Sequence, residues 1–524
     1  MRDPMYIDFN HGTISEAYTG RAWNRAQVAA CVARRVRRLE SAGLRRGDRV
    51  FVLYGNNLEF FADLLAVWSL GACLVPVDGR LTPSEITNLA TAAGPRVALV
   101  DAWLAAEVEA CLRAQSVAII AGDECDADGN EQVPSRLASA VRLDDDALIL
   151  FTSGSTGTPK GVVHTHRSLR ARWAALRDCL GTRAYARTLC MLPTHFGHGL
   201  ICNCLFPWLA GQHLVIAPSY SQRALMQLGS LLDEHRITFM SSVPSMWGLV
   251  LKASKPPEAG TLERVHCGSA PLSGHLWRDI QAWTRVPHVI NTYGITETAS
   301  WVAGTTGGPA PDDGLVGTPW GAVIRVQRSA EADGLFDPAL TCEAGEPGHL
   351  WVESAALMRG YFGQPELTAK AVAGGWFNTG DIGLIDATGR LYLRGRERDE
   401  INRGGAKIYP SDIDLLVESY KGVREACAFG YSDSLYGQDI GIAVVLELPP
   451  GDMIRELHAW LRVHLAHFKM PRRWYVLDAL PRTSRGKINR SDVAALCKQQ
   501  TPVDLQAVLA GAPLAALAPR TEAA

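Results

Sequence analysis

The chain has 524 residues, 47% of them hydrophobic and 20% charged, with a formal net charge of -2. That length accommodates two to four folded units, and the apolar share excludes general disorder. A charge so close to zero argues against a protein built mainly to hold nucleic acid or an anionic membrane surface.

Residues 22–42 carry apolar positions at helical spacing, and Arg34, Arg35, Arg37 and Arg38 between them predict a solvated basic face. The segment 48–54 reads as a strand, 58–70 as a helix, and the apolar run 71–77 as a buried strand closed by Asp78-Gly79. Strand and helix patterns alternate to about residue 300, which predicts α/β layers with largely parallel sheets. After residue 305 Gly and Pro become dense, and the alternation at 349–353 and 390–394 predicts a small β-rich unit. The charged stretch from Arg394 to Gly405 reads as a linker. Beyond it, helices at 411–420, 453–466 and 490–498 surround strands near 424–430 and 440–447, a compact unit of about 100 residues. The expected division is 1–394, 395–498 and a frayed, Ala- and Pro-rich tail over 499–524. No run reaches the roughly 18 apolar positions that span a bilayer. The opening MRDPMYIDFN lacks the apolar core of a secretion signal. Twelve scattered cysteines fit reduced, mostly buried thiols, so the expected location is cytoplasmic.

The chemistry concentrates where the apolar strand Leu148-Ile149-Leu150-Phe151 empties into Thr152-Ser153-Gly154-Ser155-Thr156-Gly157-Thr158-Pro159-Lys160-Gly161. Glycines let backbone N–H groups turn toward an anion, hydroxyls add donors, and Lys160 adds charge. Such a loop holds a triphosphate, although it is not the Gly-Lys-Ser/Thr pattern that opens a helix. A flexible Ser/Gly linker is the bland alternative, and the strand before the loop disfavours it.

This stretch resembles the phosphate loop of the adenylate-forming superfamily, which includes acyl-CoA synthetases, peptide synthetase adenylation domains and luciferase. Five further segments resemble the family's motifs in order: Gly268-Ser269-Ala270-Pro271-Leu272, Asn291-Thr292-Tyr293-Gly294-Ile295-Thr296-Glu297, Trp376-Phe377-Asn378-Thr379-Gly380-Asp381, Gly395-Arg396-Glu397-Arg398-Asp399, and Pro481-Arg482-Thr483-Ser484-Arg485-Gly486-Lys487. The motif style is nearest to acyl-CoA synthetases. The implied fold is α/β, with a large N-terminal domain of layered α/β subdomains plus a small β-rich unit, then a small mobile α+β C-terminal domain.

The implied activity is ATP-dependent conversion of a carboxylic acid to acyl-AMP with pyrophosphate release, then transfer to a thiol, with CoA expected. By resemblance Thr152 to Gly157, Lys160, Gly268, Ser269, Ala270, Asn291, Thr292, Tyr293, Gly294 and Thr296 bind nucleotide. Thr156, Glu297 and Lys487 are implied to be catalytic, with Glu297 as the Mg2+ ligand. Asp381 is expected at the ribose hydroxyls, Arg396 at the ribose and phosphate, and Lys487 between the acid's carboxylate and the α-phosphate. Arg398 falls at the hinge position, where many relatives have Asp or Lys, and Gly404-Gly405 would let a pantetheine arm pass close to the backbone. The missing Gly-x-Ser-x-Gly elbow is consistent, since no protein nucleophile is needed.

The acid is harder to read. The resemblance lines its pocket with His195, His198, Ser242, Gly268, Gly294 and Trp301. No Asp stands in 193–200 to pair an ammonium group, which disfavours an α-amino acid. His195 and His198 either contact a polar group of the substrate or are structural, and Trp301 closing the pocket favours a small or flat acid. His195, His198, Cys202 and Cys204 imitate a zinc site, but the cysteines sit in an apolar run, LICNCLFPWLA, that reads as a buried helix. Alternative readings are transfer to the phosphopantetheine of a separate carrier protein, adenylation of an unusual oxyacid, transfer to an amine, and a non-catalytic nucleotide-binding regulator. Monomer and homodimer both stay open.

Overall fold

The computed structural model describes residues 11–101, 106–122, 141–152, 160–219, 221–306, 308, 310–328, 336–403, 406–434, 436–447, 453–483 and 486–509. Short apolar runs set off by Gly and Pro become strands, and longer periodic ones become helices. Helix Arg25–Ser41 opens on a capping box between Asn24 and Gln27, and Asn57 caps helix Leu58–Ser69 by accepting from the Phe60 N–H. The helix Leu58–Ser69 is buried along its whole length. Its Asp63 accounts for one departure from the expected solvated basic face: Arg35 is buried and meets Asp63 at 2.8 Å, while Arg34, Arg37 and Arg38 stay exposed.

Two sheets carry the N-terminal domain. The first runs Gly360–Tyr361, Lys160–Thr165, Asp146–Thr152, Cys73–Pro76, Arg49–Val52, Val97–Val100, Ala118–Ala121. Its last five strands are parallel, and the hairpin joining Asp146–Thr152 to Lys160–Thr165 is antiparallel. The second sheet has fourteen strands. His213–Ile216, Arg187–Cys190, Phe239–Ser242, Arg264–Gly268 and Val289–Ile295 lie parallel in that order, and the pairing turns antiparallel at Ser300–Gly304. The β-rich unit after residue 305 continues this sheet rather than forming its own, joined by Ala303 opposite Pro319 and Gly304 opposite Thr318. An edge left at Ser300–Gly304 would expose unpaired backbone, and this pairing covers it.

The stretch from Arg394 to Gly405 is not a linker over its described part. Strand Leu391–Arg396 passes through a turn at Glu397–Asp399 into strand Ile401–Arg403, which pairs with Ala406–Ile408. Ile401 is buried, and Arg403 meets Asp439 at 2.8 Å, so this charged segment is held by tertiary contacts. The C-terminal domain packs helices Pro410–Glu418 and Met453–His464 on a sheet built around Val423–Asp433 and Gly437–Leu446. The segment expected to fray from 499 is ordered to residue 509, because Val508 buries into this core and the Val503 N–H donates to the Trp474 carbonyl at 2.8 Å. LICNCLFPWLA is buried as expected, but His198–Leu205 winds as a π-helix before the α-turn Phe206–Leu209. Ten of the described cysteines are free thiols, and Cys31 departs from the expected reduced set in being disulfide-bonded. Among the described residues no helix is long and apolar enough to cross a membrane.

Candidate active site

The two sheets meet where the antiparallel hairpin of the first approaches the carboxyl end of Val289–Ile295 in the second. His164 on the hairpin donates from Nε2 to the Thr296 carbonyl at 2.7 Å, and burial holds its pKa down to about 4, so the ring is neutral. The Met358 N–H donates to the Glu297 carbonyl at 2.8 Å. Between them these bonds fix the turn Thr296–Thr298 that carries Glu297.

Thr152 pairs with Lys160 at the end of the hairpin. Ser153, Gly154, Ser155, Thr156 and Gly157 themselves lie outside the described residues. Lys160 Nζ stands 5.5 Å from the centre of the Tyr361 ring, and Tyr361 donates from its hydroxyl to Glu297 Oε1 at 2.8 Å. A cation, a phenol and one carboxylate thus converge at the end of the hairpin strand. One carboxylate beside Lys160 suits Mg2+, which binds through one or two carboxylates plus substrate phosphates.

A second carboxylate lies further along the same sheet. Asp381 stands directly across from Arg396, whose Nε reaches its Oδ1 at 2.7 Å, and Tyr293 donates from its hydroxyl to Oδ2 at 2.6 Å. Arg396 also donates to the Thr379 carbonyl at 3.1 Å. Burial pushes the Asp381 carboxyl above its usual range, while Arg396 first, then Tyr293 and Lys487, pull it down. The side chains of Asn291 and Thr292, two of the residues expected at the nucleotide, bond to neighbouring strands. The Asn291 amide donates to the Leu315 carbonyl at 2.7 Å and the Thr292 hydroxyl to the Cys267 carbonyl at 3.3 Å, so both work inside the sheet. Gly268 has a packing reason, because a Cβ there would lie 2.3 Å from Thr292 Oγ1; at Gly294 a Cβ would lie 2.1 Å from the Ser300 carbonyl oxygen. Ser269, which precedes Ala270, adopts φ of +69°.

The far end is built around His198. Its Nδ1 lies 2.7 Å from Ser269 Oγ and its Nε2 2.6 Å from Ser241 Oγ, with the Trp301 ring edge-on at 5.5 Å. His266, fully buried, sits 4.5 Å behind Trp301. Burial, reinforced by the charge of Lys487, holds His198 down to about 3, so it is neutral. The other pocket candidates divide. His195 meets Asp78 at 3.4 Å, and Ser242 donates to the His266 carbonyl at 2.9 Å while accepting from Trp247 Nε1 at 3.0 Å. Both are occupied in the framework, and Ser241, one residue away, is the serine that meets His198. Cys202 and Cys204 are buried in the π-helix, and among the described residues no three His, Cys, Asp or Glu side chains are placed to hold a metal ion.

Lys487 arrives from the C-terminal domain on a turn closed by the Thr483 N–H to the Lys487 carbonyl at 2.8 Å and the Gly486 N–H to the Thr483 carbonyl at 2.9 Å. Gly486 has φ of +74°, and a Cβ there would stand 3.7 Å from Ser245 Oγ of helix Pro244–Ala253, which seats the turn against the N-terminal domain. The charge of Lys487 is felt at both His198 and Asp381. Arg398 is exposed on its turn with Asp399 at 3.7 Å, and Asp399 is 3.7 Å from Arg490. Gly404 and Gly405 lie outside the described residues. Sequence reasoning missed Tyr361, His164 and Ser241. The dipeptide Gly360-Tyr361 was the one visible signal, and Tyr361 also packs in a small buried cluster with Val162, Met358 and Phe377.

The sequence matches the AMP-binding enzyme model over residues 9–362 and the AMP-binding enzyme C-terminal domain model over 413–487. A feruloyl-CoA synthase of an Amycolatopsis species is 32% identical over 485 residues, covering 90% of this chain and 94% of that protein. A long-chain fatty-acid–CoA ligase of Mycobacterium tuberculosis is 30% identical over 473 residues, covering 88% and 91%. Among solved structures, o-succinylbenzoate CoA synthetase of Bacillus subtilis with its acyl-adenylate intermediate superposes with a TM-score of 0.80 at 24% identity, over 95% of this chain and 99% of that one.

Proposed function

The chain belongs to the AMP-binding enzyme family, and from that membership we propose that it is an acid–thiol ligase, which activates a carboxylic acid as acyl-AMP with release of pyrophosphate and passes the acyl group to CoA. The observation that carries the reading is the position of Lys487. One lysine from the small domain acts electrically on Asp381 at one end of the site and on His198 at the other. A carboxylate is a poor acyl donor because its leaving group would be oxide. Attack of the acid's oxygen on the α-phosphorus forms the P–O bond as the bond to pyrophosphate breaks, and AMP is then the leaving group for the thiol.

Each residue has a physical task in that scheme. Asp381 keeps lone pairs for the ribose hydroxyls beyond those used by Tyr293 and Arg396. Glu297 would hold Mg2+, whose charge offsets that of the phosphates, and Tyr361 orients its carboxylate. Lys487 stabilises charge as pyrophosphate departs, and positioning supplies the rest of the rate. Tyr361→Phe removes the hydrogen bond that orients Glu297, so acyl-AMP formation is expected to fall about tenfold, with the Mg2+ requirement moved upward. Pyrophosphate release across a Mg2+ titration reads both, and an unchanged titration would remove Tyr361 from this role.

The acid is short or flat. His198 is fixed between two serines, and Trp301 and His266 behind it are buried. CoA is the acceptor because the named relatives at 30% identity or more are CoA ligases. The test is pyrophosphate release from ATP with pooled short aliphatic, dicarboxylic, aryl and amino acids, with and without CoA. CoA-dependent turnover with a short or aryl pool is the expected result. Acyl-AMP that CoA leaves untouched would overturn the acceptor and point to a carrier protein or an amine. Trp301→Ala should raise turnover of longer acids about tenfold or more relative to the preferred one, since each methylene admitted contributes roughly 1–3 kcal/mol.

A further inference from the structure

The turn that presents Lys487 has its base packed on the core of its own domain through Ile488, and its tip is tied there by the Arg482 side chain. Arg482 donates from Nη1 to the Gly486 carbonyl at 2.7 Å, and its Nη2 lies 2.9 Å from Glu425 Oε1. Glu425 stands on strand Val423–Asp433, at the edge of the C-terminal sheet, where it pairs with Val445 of the central strand Gly437–Leu446. The backbone bonds among Thr483, Gly486 and Lys487 close the turn on itself, and Arg482 opposite Ile488 closes its base. Those bonds shape the turn without anchoring it to the sheet. The guanidinium does both at once, with one prong on the turn and the other on the strand, which a rigid planar fork achieves and a single ammonium does not.

Lys487 has a flexible four-carbon stem, so its usefulness depends on where its backbone is held. A misplacement of about 1 Å far from the chemistry can cost a hundredfold in rate. We propose that Arg482 is a positioning residue for the adenylation half-reaction: by bridging the Gly486 carbonyl to Glu425 it holds the turn so that Lys487 reaches the gap between Asp381 and His198. This role rests on the ligase reading above. It belongs to one half-reaction, because the thiol step follows withdrawal of the lysine and makes no use of it.

The experiment compares wild type, Arg482→Ala, Arg482→Lys, Glu425→Ala and the double variant Glu425→Ala/Arg482→Ala in the full chain. Acyl-AMP formation is measured from pyrophosphate release, thioester formation from supplied acyl-AMP and CoA, and folding from thermal melts. Arg482→Ala is expected to lower kcat of adenylation about tenfold to thirtyfold while KM for ATP and the thiol step each move less than about twofold. Arg482→Lys should recover part of the loss, since it keeps the charge but not the fork. The double variant should be no slower than Arg482→Ala, because both changes break one bridge. The proposal is overturned if adenylation is unchanged, if both half-reactions slow together, or if the two single losses multiply. Should Arg482→Ala fail to fold, Arg482→Lys and Glu425→Ala give the same split or refute it. A wild type that makes no acyl-AMP from any acid overturns the ligase reading itself, whereas an active wild type with any overturning result sinks this proposal alone.

Discussion

Lys487→Ala is expected to slow acyl-AMP formation by about a hundredfold to a thousandfold, the cost of removing one preorganised donor aimed at developing charge. ATP binding should change little, because Asp381 and Arg396, the residues proposed for the ribose, are held by each other and by Tyr293 without the lysine. Thioester formation from supplied acyl-AMP should survive. The asymmetry follows from the geometry. Lys487 comes from the small domain on a turn seated against helix Pro244–Ala253, and its charge reaches both Asp381 and His198. It therefore reaches the site from the small domain and is no part of the framework that holds Asp381 and His198. Single-turnover measurements of the two half-reactions, with nucleotide binding followed separately, decide the matter. Equal loss in both half-reactions would mean that the lysine supports the fold and not the chemistry.

The parts of the molecule readable from sequence are those set by local pattern. Strand Arg49–Val52 and helix Leu58–Ser69 fall within a residue or two of where the apolar patterns at 48–54 and 58–70 place them. The unreadable parts depend on partners distant in the chain. Arg394 to Gly405 carries many charges and so reads as solvated, yet Arg396 and Arg403 are paired with Asp381 and Asp439, which lie 15 and 36 residues away. Ser241 and Ser242 are equivalent in sequence, and the register of Phe239–Ser242 against Arg264–Gly268 sends one hydroxyl to His198 and the other to the His266 carbonyl. An apolar run also does not say which helix it forms. His198 reaches both serines from a π-helix, a winding that places residues at a phase no 3.6-residue count predicts.

Arg172→Met is the second large effect expected, and it links stability to the site. Arg172, on helix His166–Leu180, is fully buried, and among the described residues it pairs with no carboxylate. Burial lowers its pKa to about 10, which leaves it charged at neutral pH. Its guanidinium donates to the Thr298 carbonyl at 3.2 Å, the Trp320 carbonyl at 2.6 Å and Ser354 Oγ at 3.4 Å. Thr298 is followed by Ala299 and Ser300 at φ of 53° and 74°, two non-glycine residues in the left-handed region. Such backbone costs of order 1–3 kcal/mol per residue and persists only when its surroundings hold it. Arg172 holds it from behind, and on the other side of the same turn stands Glu297. Methionine fills the volume but offers no donor, so two buried carbonyls lose their partner at about 1–3 kcal/mol each. The expected loss is about 2–6 kcal/mol, seen as a lower melting temperature, together with a fall in adenylation of tenfold or more as Glu297 shifts. Arg172→Lys should fall between, since one ammonium cannot span three acceptors. A variant with the wild-type melting temperature and wild-type adenylation would show that the turn holds its left-handed pair without the guanidinium, and that Glu297 is placed by His164 and Met358 alone.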